Sequence, residues 1–489
     1  MNKARHVIWL LLLTSGYFTV FVRGNCSVTS KAGNCTTNPK AVSGTWFSVK
    51  AQSTIQDNDV SFIAEMEESC NELPLKVDVQ VKAHTGSDFI FPGSGITQRT
   101  DDSDSPYGGV VYKYKADSSI RIMVPKRENG KSSGITLFSG GSSWDGVIQV
   151  NETAADVRYR VWCRCNFPTP AFESSWTNID ARNNNFLEIN HGLGIMPDMV
   201  IVQLRHGSTD RDWVSDVMGS MSTSRTGKEK SGLIYAYNSR TVRIWAPENG
   251  NLFNLADGWG LPRDVDTVIS GQLKVYVWSY LMNTKSKSVT IDRRTSIPNL
   301  QVPLPVPLNI DHDILYFTIS PTNGENRGFA FPGVGSVQNA DTNTQYGGVM
   351  YSYSSDKIRL WHPKLDGRHF LVYVSNDWGG GHHTQSAESV TARISVWKAG
   401  QICLIPPSHR TTPKTTTFPV TTLKPSHPSM SLGNASARDL NKKELWYDRS
   451  VTVPVLWLVV GGGGLLLLIF LLAIIIYCIC KENSSNEFR

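Results

Sequence analysis

YGGVVYKYKADSSIRIMVPKRENG, which begins at Tyr107, recurs as KSGLIYAYNSRTVRIWAPENG from Lys230 and as YGGVMYSYSSDKIRLWHPKLDG from Tyr346. In each stretch a short polar turn separates two runs in which apolar and polar residues alternate, and this pattern is typical of a β-hairpin. The copies lie more than 100 residues apart, whereas solenoid repeats are roughly 20–50 residues long. The recurrence therefore predicts whole domains in tandem.

The two faces of the hairpin differ in character. Tyr112 and Tyr114 are predicted on the same face as Ile120 and Ile122, and that face is expected to form the core. The other face carries an arginine and, in two copies, a tryptophan two residues later: Arg121, Arg243, Arg359, Trp245 and Trp361. An arginine can stack on such a ring, so this face is interpreted either as a structural cation–π pair or as a site for a sugar or a protein.

The repeat extends on both sides of the hairpin. Upstream, Trp46 in GTWFSVKA matches Trp176 in SSWTNIDA, while the third copy has SVTIDRR from Ser288. FIFPGSG from Phe89 matches FAFPGVG from Phe329, and the second copy has DWVSDVMGSMS instead. Each copy closes on a strand that ends in tryptophan, at Trp162, Trp278 and Trp397.

Many short strands with glycine-rich turns indicate an all-β chain of three tandem antiparallel β-sandwich modules. The predicted boundaries are 43–167, 173–282 and 286–400. These ranges are called the first, second and third repeats below.

A further tryptophan follows each hairpin in a glycine-rich turn, at Trp144, Trp259 and Trp378. Loops often carry binding residues because strands are committed to the core. An exposed ring beside the neighbouring aspartate could stack on a sugar while the carboxylate takes a hydroxyl. The alternative is that each ring folds back as a lid on its own core.

Both ends of the chain carry the signals of a membrane glycoprotein. Residues 1–24 fit a secretory signal peptide, and residues 25–42 form a cysteine-containing segment. Residues 401–450 read as a Thr/Ser/Pro-rich stalk with O-glycans, residues 451–480 as one transmembrane helix, and residues 481–489 as a cytoplasmic tail. The expected localisation is the cell membrane with an extracellular ectodomain, and its release into the matrix is left open.

Six cysteines are expected to form extracellular disulfides: Cys26, Cys35, Cys70, Cys163, Cys165 and Cys403. Cys26 is predicted to pair with Cys35, and Cys70 with either Cys163 or Cys165. Acceptors for N-linked glycans occur at Asn25, Asn34, Asn151 and Asn434.

The chain lacks the motifs of the common hydrolases and nucleotide-binding enzymes, so no catalytic residues and no cofactor are predicted. The net charge of +6 is spread along the chain, which is evidence against nucleic-acid binding. An acidic loop suits Ca²⁺ with Asp101, Asp102 and Asp104, and with Asp341 in the third repeat. The alternative for these aspartates is a solvated loop.

The Phe-Pro-Gly, Tyr-Gly-Gly and Trp-Gly motifs resemble a tandem β-module of invertebrate cell-surface and extracellular-matrix proteins, including skeletal organic matrix proteins of calcifying corals. The HGLGIMPDMVIVQLR stretch and the closing ISVWKA are also similar to H-type lectin domains. This second resemblance carries no sugar-contacting residue over to the chain.

These observations predict a single-pass type I membrane glycoprotein with a non-catalytic ectodomain for adhesion, recognition or matrix attachment. One alternative is a lectin-like receptor for glycans. Another is a component of a skeletal or other organic matrix. The expected partner is an extracellular protein or glycan, and self-association is left open.

Overall fold

Short strands make up almost all regular structure in the computed structural model of this chain. The structure describes residues 42–399 apart from 44–45, 52–60, 66–69, 71, 85, 99–105, 117–118, 126–133, 207–212, 221, 224–229, 256–257, 260–266, 294–299, 339–343 and 365–367. The described residues belong to one compact unit. Their strands pair almost entirely antiparallel, and the only helices among them are two 3₁₀ turns, Gly141–Ser143 and Arg164–Asn166. The all-β prediction is therefore confirmed for this part of the chain.

The strands of the first repeat are β1 (Val42–Ser43), β2 (Phe47–Lys50), β3 (Ser61–Glu65), β4 (Lys76–Ala83), β5 (Ile90–Pro92), β6 (Tyr107–Gly108), β7 (Val111–Tyr114), β8 (Ser119–Met123), β9 (Gly134–Ile135), β10 (Leu137–Phe138), β11 (Trp144–Gly146), β12 (Asn151–Glu152) and β13 (Ala154–Trp162). Those of the second are β14 (Phe172–Glu173), β15 (Thr177–Asp180), β16 (Phe186–Asn190), β17 (Met199–His206), β18 (Val214–Asp216), β19 (Ser222–Thr223), β20 (Ile234–Tyr237), β21 (Thr241–Trp245), β22 (Phe253–Asn254), β23 (Thr267–Val268) and β24 (Ser270–Trp278). Those of the third are β25 (Thr284–Asp292), β26 (Gln301–Pro303), β27 (Ile314–Pro321), β28 (Phe331–Pro332), β29 (Tyr346–Gly347), β30 (Met350–Tyr353), β31 (Lys357–Pro363), β32 (His369–Phe370), β33 (Val372–Val374), β34 (Gln385–Ala387) and β35 (Ser389–Trp397).

The repeated sequence forms a hairpin in every copy, namely β7–β8, β20–β21 and β30–β31. In the first hairpin Tyr112 lies opposite Ile122 and Tyr114 opposite Ile120, as the alternation predicts. A third strand joins the second arm of each hairpin: β3 on β8, β16 on β21 and β26 on β31.

The closing strands also share one pattern of partners. The strands β13, β24 and β35 each lie between an early strand (β2, β15, β25) and the next long strand (β4, β17, β27). The long strand then pairs with β5, β18 or β28. In each repeat, buried side chains of this sheet share one hydrophobic core with side chains of the hairpin, so the two layers bury each other's apolar faces.

Both faces of the hairpins are covered, which the alternation alone does not predict. All four residues of β7, β20 and β30 are buried, Lys113 included. Another repeat packs on the second face of the first hairpin, where the Lys113 ammonium lies 4.7 Å from the ring centre of Trp213. The edge of each hairpin also pairs with another repeat. Val214 pairs with Tyr114, Ala330 with Tyr237, and Ile90 with Tyr353.

These pairings join the second repeat to the first, the third to the second, and the first to the third, and each such contact is called a seam below. The contacts therefore form a closed cycle. Glycines permit the close approach: a Cβ on Gly95 would overlap backbone atoms of Asp216, and one on Gly335 would overlap the carbonyl oxygen of Pro92.

One predicted disulfide lies within the described residues. Cys70 is bonded to Cys163, with their Cα atoms 5.2 Å apart, which selects one of the two predicted partners. Cys165 is also disulfide-bonded. The predicted Cys26–Cys35 bond and Cys403 lie outside the described residues.

Candidate functional site

The tryptophans of the glycine-rich turns lie inside the seams. Trp144, Trp259 and Trp378 are each 1% exposed. Their backbones pair with the proline that ends the hairpin of another repeat: Trp144 with Pro363, Trp259 with Pro125, and Trp378 with Pro247. A ligand would therefore reach these rings only if a seam opened.

The partner of each turn tryptophan explains a sequence difference between the repeats. Trp144 stacks on Tyr346, with ring centroids 6.0 Å apart, and Trp259 meets Tyr107 edge to face at 5.6 Å. The second repeat has Lys230 where the others have these tyrosines. The Lys230 ammonium lies 2.9 Å from the carboxylate of Asp377, next to Trp378. An ion pair thus occupies the place of an aromatic pair at the seam between the second and third repeats.

The hairpin arginines also bridge repeats. Arg121 lies 5.1 Å from the ring centre of Trp213, Arg243 lies 4.2 Å from that of Phe329, and Arg359 lies 3.5 Å from that of Phe89. Each aromatic partner belongs to another repeat. Trp213, in the DWVSD stretch, fills the role that the Phe-Pro-Gly motif supplies elsewhere. The cation–π contact is therefore made across a seam and not with the tryptophan two residues later.

Those later tryptophans are fully buried as well. Trp245 packs against Phe331 at 5.9 Å. Trp361 packs against Phe91 at 5.8 Å and donates a hydrogen bond from Nε1 to the Ile148 carbonyl at 2.9 Å. Like the arginines and the turn tryptophans, these rings join repeats in the folded chain.

The three closing tryptophans meet around a single phenylalanine. The ring of Phe167 lies 6.1 Å from Trp162, 5.3 Å from Trp278 and 5.1 Å from Trp397. Because one tryptophan comes from each repeat, this cluster is a point where all three repeats are in contact.

A cavity of about 80 Å³ with a mixed polar and apolar lining lies where the repeats meet, and residues from all three line it. Asp216 is one of two carboxylates that line it. It accepts hydrogen bonds from the Tyr114 hydroxyl at 2.5 Å and the Tyr112 hydroxyl at 3.2 Å. Burial raises the pKa of Asp216 to about 6, against the charge of Lys76 and the hydrogen bonds from the tyrosines and from Val77.

A second carboxylate lines the same cavity but has the opposite shift. Burial alone would raise the pKa of Asp78, but the charges of Arg160 and Lys76 outweigh burial and lower it. Arg160 holds this carboxylate at 3.0 and 2.5 Å through Nε and Nη2. The cavity is well below the roughly 300 Å³ of small-molecule pockets, so the two carboxylates are interpreted as parts of the seams.

The tryptophans upstream of the first two hairpins each lie beside an arginine. Trp46 is 38% exposed, and the Arg158 guanidinium lies 4.7 Å from its ring centre. Trp176 occupies the matching place in the second repeat, with Arg205 at 4.0 Å. The sequence predicts that Trp46 and Trp176 match, but it does not predict that Trp46 is exposed, because nothing in the local pattern separates a covered tryptophan from an exposed one.

Several predicted positions fall outside the described residues: the Ca²⁺ candidates Asp101, Asp102, Asp104 and Asp341, and the glycosylation acceptors Asn25, Asn34 and Asn434. Within the described residues, no group of three or more His, Cys, Asp or Glu side chains could hold a metal ion. Asn151 is described and exposed.

The predicted span at 451–480 also lies outside the described residues. In the part of the chain that the structure describes, no helix is long and apolar enough to cross a membrane. Comparison of the chain with protein-family models, with curated proteins and with solved structures found no match.

Proposed function

We propose that the chain is a single-pass type I membrane glycoprotein whose three repeats are β-sandwich modules that together form one non-catalytic head. The head serves adhesion, recognition or matrix attachment outside the cell. The signal-like residues 1–24 and the uncharged stretch 451–480 support the topology.

One observation carries the proposal: the side chains that recur in every repeat connect the repeats to each other. Arginines stack on aromatics of another repeat, and the turn tryptophans are buried against another repeat's proline. Chemistry performed in every repeat would need recurring side chains that reach a substrate. Recurring side chains that are used between repeats instead favour a rigid platform that presents its outer surface.

Expression of the full-length chain in cells that lack it tests this function. An epitope placed after residue 24 should be labelled on intact cells, and an epitope after residue 489 only after permeabilisation. The cells should also attach to matrix-coated surfaces or to one another. The matched control is a chain without residues 43–400, which should be labelled at the surface but should not attach. Equal attachment by both chains, or no labelling of intact cells, would refute the proposal.

A further inference from the structure

Trp46, a partly exposed ring, lies beside a buried cation and an exposed carboxylate at the seam between the first and third repeats. Trp46 directly precedes β2, whose pairing with β13 ends where Phe47 lies opposite Val157, and its ring lies 4.7 Å from the guanidinium of Arg158, the next residue of β13. The Arg158 side chain is 10% exposed, whereas that of Asp311, from the third repeat, is 59% exposed. The three groups meet at the seam between the first and third repeats.

Arg158 is fixed in place by its other contacts. It donates hydrogen bonds from Nε to the Gln80 side chain at 2.6 Å, from Nη1 to the Asp311 carboxylate at 2.8 Å, and from Nη2 to the Ile310 carbonyl at 3.3 Å. These three bonds engage three of the five N–H donors of the guanidinium, so Arg158 is held in place against the indole and can orient it. The distances from the guanidinium carbon to the ring centre (4.7 Å) and from Nη1 to the carboxylate (2.8 Å), with a C–N bond of ~1.3 Å, place Asp311 within about 9 Å of the ring.

The surface around Trp46 is polar. Ser48 donates a hydrogen bond to Asp156 at 2.6 Å, and His84 lies 3.4 Å from the same carboxylate. A protein-binding hot spot is usually enclosed by further packed side chains that exclude water. Among the described residues, the groups around Trp46 are polar, and a flat ring in such surroundings matches a sugar ring, which has an apolar C–H face and a rim of hydroxyls. The negative π-face of an indole attracts such C–H groups, and a carboxylate accepts from a hydroxyl.

The second repeat contains a related arrangement. Trp176 lies 5.7 Å from the ammonium of Lys274, which pairs with Glu173 at 2.7 Å. The third repeat has Ser288 opposite Arg393, and Arg393 lies 3.4 Å from Asp198. The cation and the carboxylate thus occur at all three places. Since the seam ion pair exists without an indole in the third repeat, the indole is not needed for the pair.

We propose that Trp46 and Asp311 form a binding site for the pyranose ring of an extracellular glycan, with Arg158 positioning the indole. The sugar lies with its C–H face on the ring and donates a hydroxyl hydrogen bond to the Asp311 carboxylate. This proposal rests on the recognition function proposed above and names its ligand class and residues.

The test applies the purified full-length chain to an array of mono- and oligosaccharides. The wild-type chain should bind at least one pyranoside, and Trp46→Ala should weaken that binding about tenfold, as expected for loss of an aromatic contact of about 1.4 kcal/mol. Asp311→Asn should weaken it without removing the ring. Tyr280→Ala removes an aromatic side chain from a residue that is 84% exposed and serves as the matched control, which should bind as wild type does.

A blank array for the wild-type chain would overturn the proposal. So would unchanged binding by both Trp46→Ala and Asp311→Asn, because the indole would then only cover Arg158. If Trp46→Ala does not fold, Asp311→Asn decides alone. Cell attachment separates the two proposals. Attachment with a blank array leaves the adhesive head standing and removes the sugar site, whereas sugar binding without attachment keeps the sugar site and its recognition role and removes adhesion.

Discussion

Replacing Asp216 by asparagine should change how the stability of the protein depends on pH. Asp216 is 6% exposed, and burial raises its pKa from 3.8 to about 6. A carboxyl whose pKa is raised on folding binds its proton more tightly in the folded chain. Its contribution to stability is therefore complete below pH 3.8 and is lost as the pH rises through 6.

The size of the effect follows from the two pKa values. Their difference corresponds to about 3 kcal/mol at ~1.36 kcal/mol per pKa unit. About 2 kcal/mol of this lies between pH 4.5 and 7.5 by the same linkage relation. With an unfolding entropy of ~2.1 cal/mol/K per residue, a loss of about 2 kcal/mol lowers the Tm of the compact unit by roughly 3 °C.

The assay is calorimetric melting of the full-length chain at pH 4.5, 5.5, 6.5 and 7.5. The Tm of the wild type relative to that of Asp216→Asn should fall by roughly 3 °C across this range. Tyr114→Phe is the matched variant, because it removes a hydrogen bond that lowers the pKa of Asp216. Its pH-dependent change should therefore move to higher pH. Parallel curves for the wild type and Asp216→Asn would refute the reasoning.

Two further substitutions test the contacts between repeats. Gly335→Ala should lower the free energy of unfolding by several kcal/mol, and therefore lower Tm, because the added Cβ would overlap the Pro92 carbonyl oxygen. Gly381→Ala, with nothing within 4 Å of the added Cβ, should melt as wild type does, and equal Tm values for both variants would count against the close approach. Phe167→Ala should cost about 3–5 kcal/mol, because the ring contacts three buried tryptophans; chemical denaturation measures this, and a loss under 1 kcal/mol would contradict it.

The sequence predicts the local elements well. Alternation, turn residues and β-branched content identify the hairpins, and the facing of Tyr112 with Ile122 follows from folding the chain about its turn. The Cys70–Cys163 bond was one of two predicted pairings. The hairpins and this disulfide depend only on contacts within one repeat, and the order of residues in that repeat is enough to predict them.

The seams could not be predicted in this way. Lys113 occupies a polar position in the alternating pattern, yet it is buried, and its ammonium lies 4.7 Å from the ring centre of Trp213 in the second repeat. The arginines and turn tryptophans have no partner in their own repeat that the pattern reveals, so a ligand was a reasonable hypothesis for them. A signal did exist in Lys230, which replaces a tyrosine of the other copies and pairs with Asp377.

Closure of the cycle is most directly tested by a cysteine cross-link between the first and third repeats. Asp145 of β11 and His362 of β31 lie directly opposite each other across that seam, and opposite residues of antiparallel strands have Cα atoms about 4.5–5.5 Å apart, which suits a disulfide. The chain with Asp145→Cys and His362→Cys should yield the bridged peptide in non-reducing mass spectrometry. The control combines Asp145→Cys with Lys357→Cys, at the far end of the same strand, and should not. Absence of the bridge in the matched pair, or equal bridging in both chains, would contradict a head whose first and third repeats are joined.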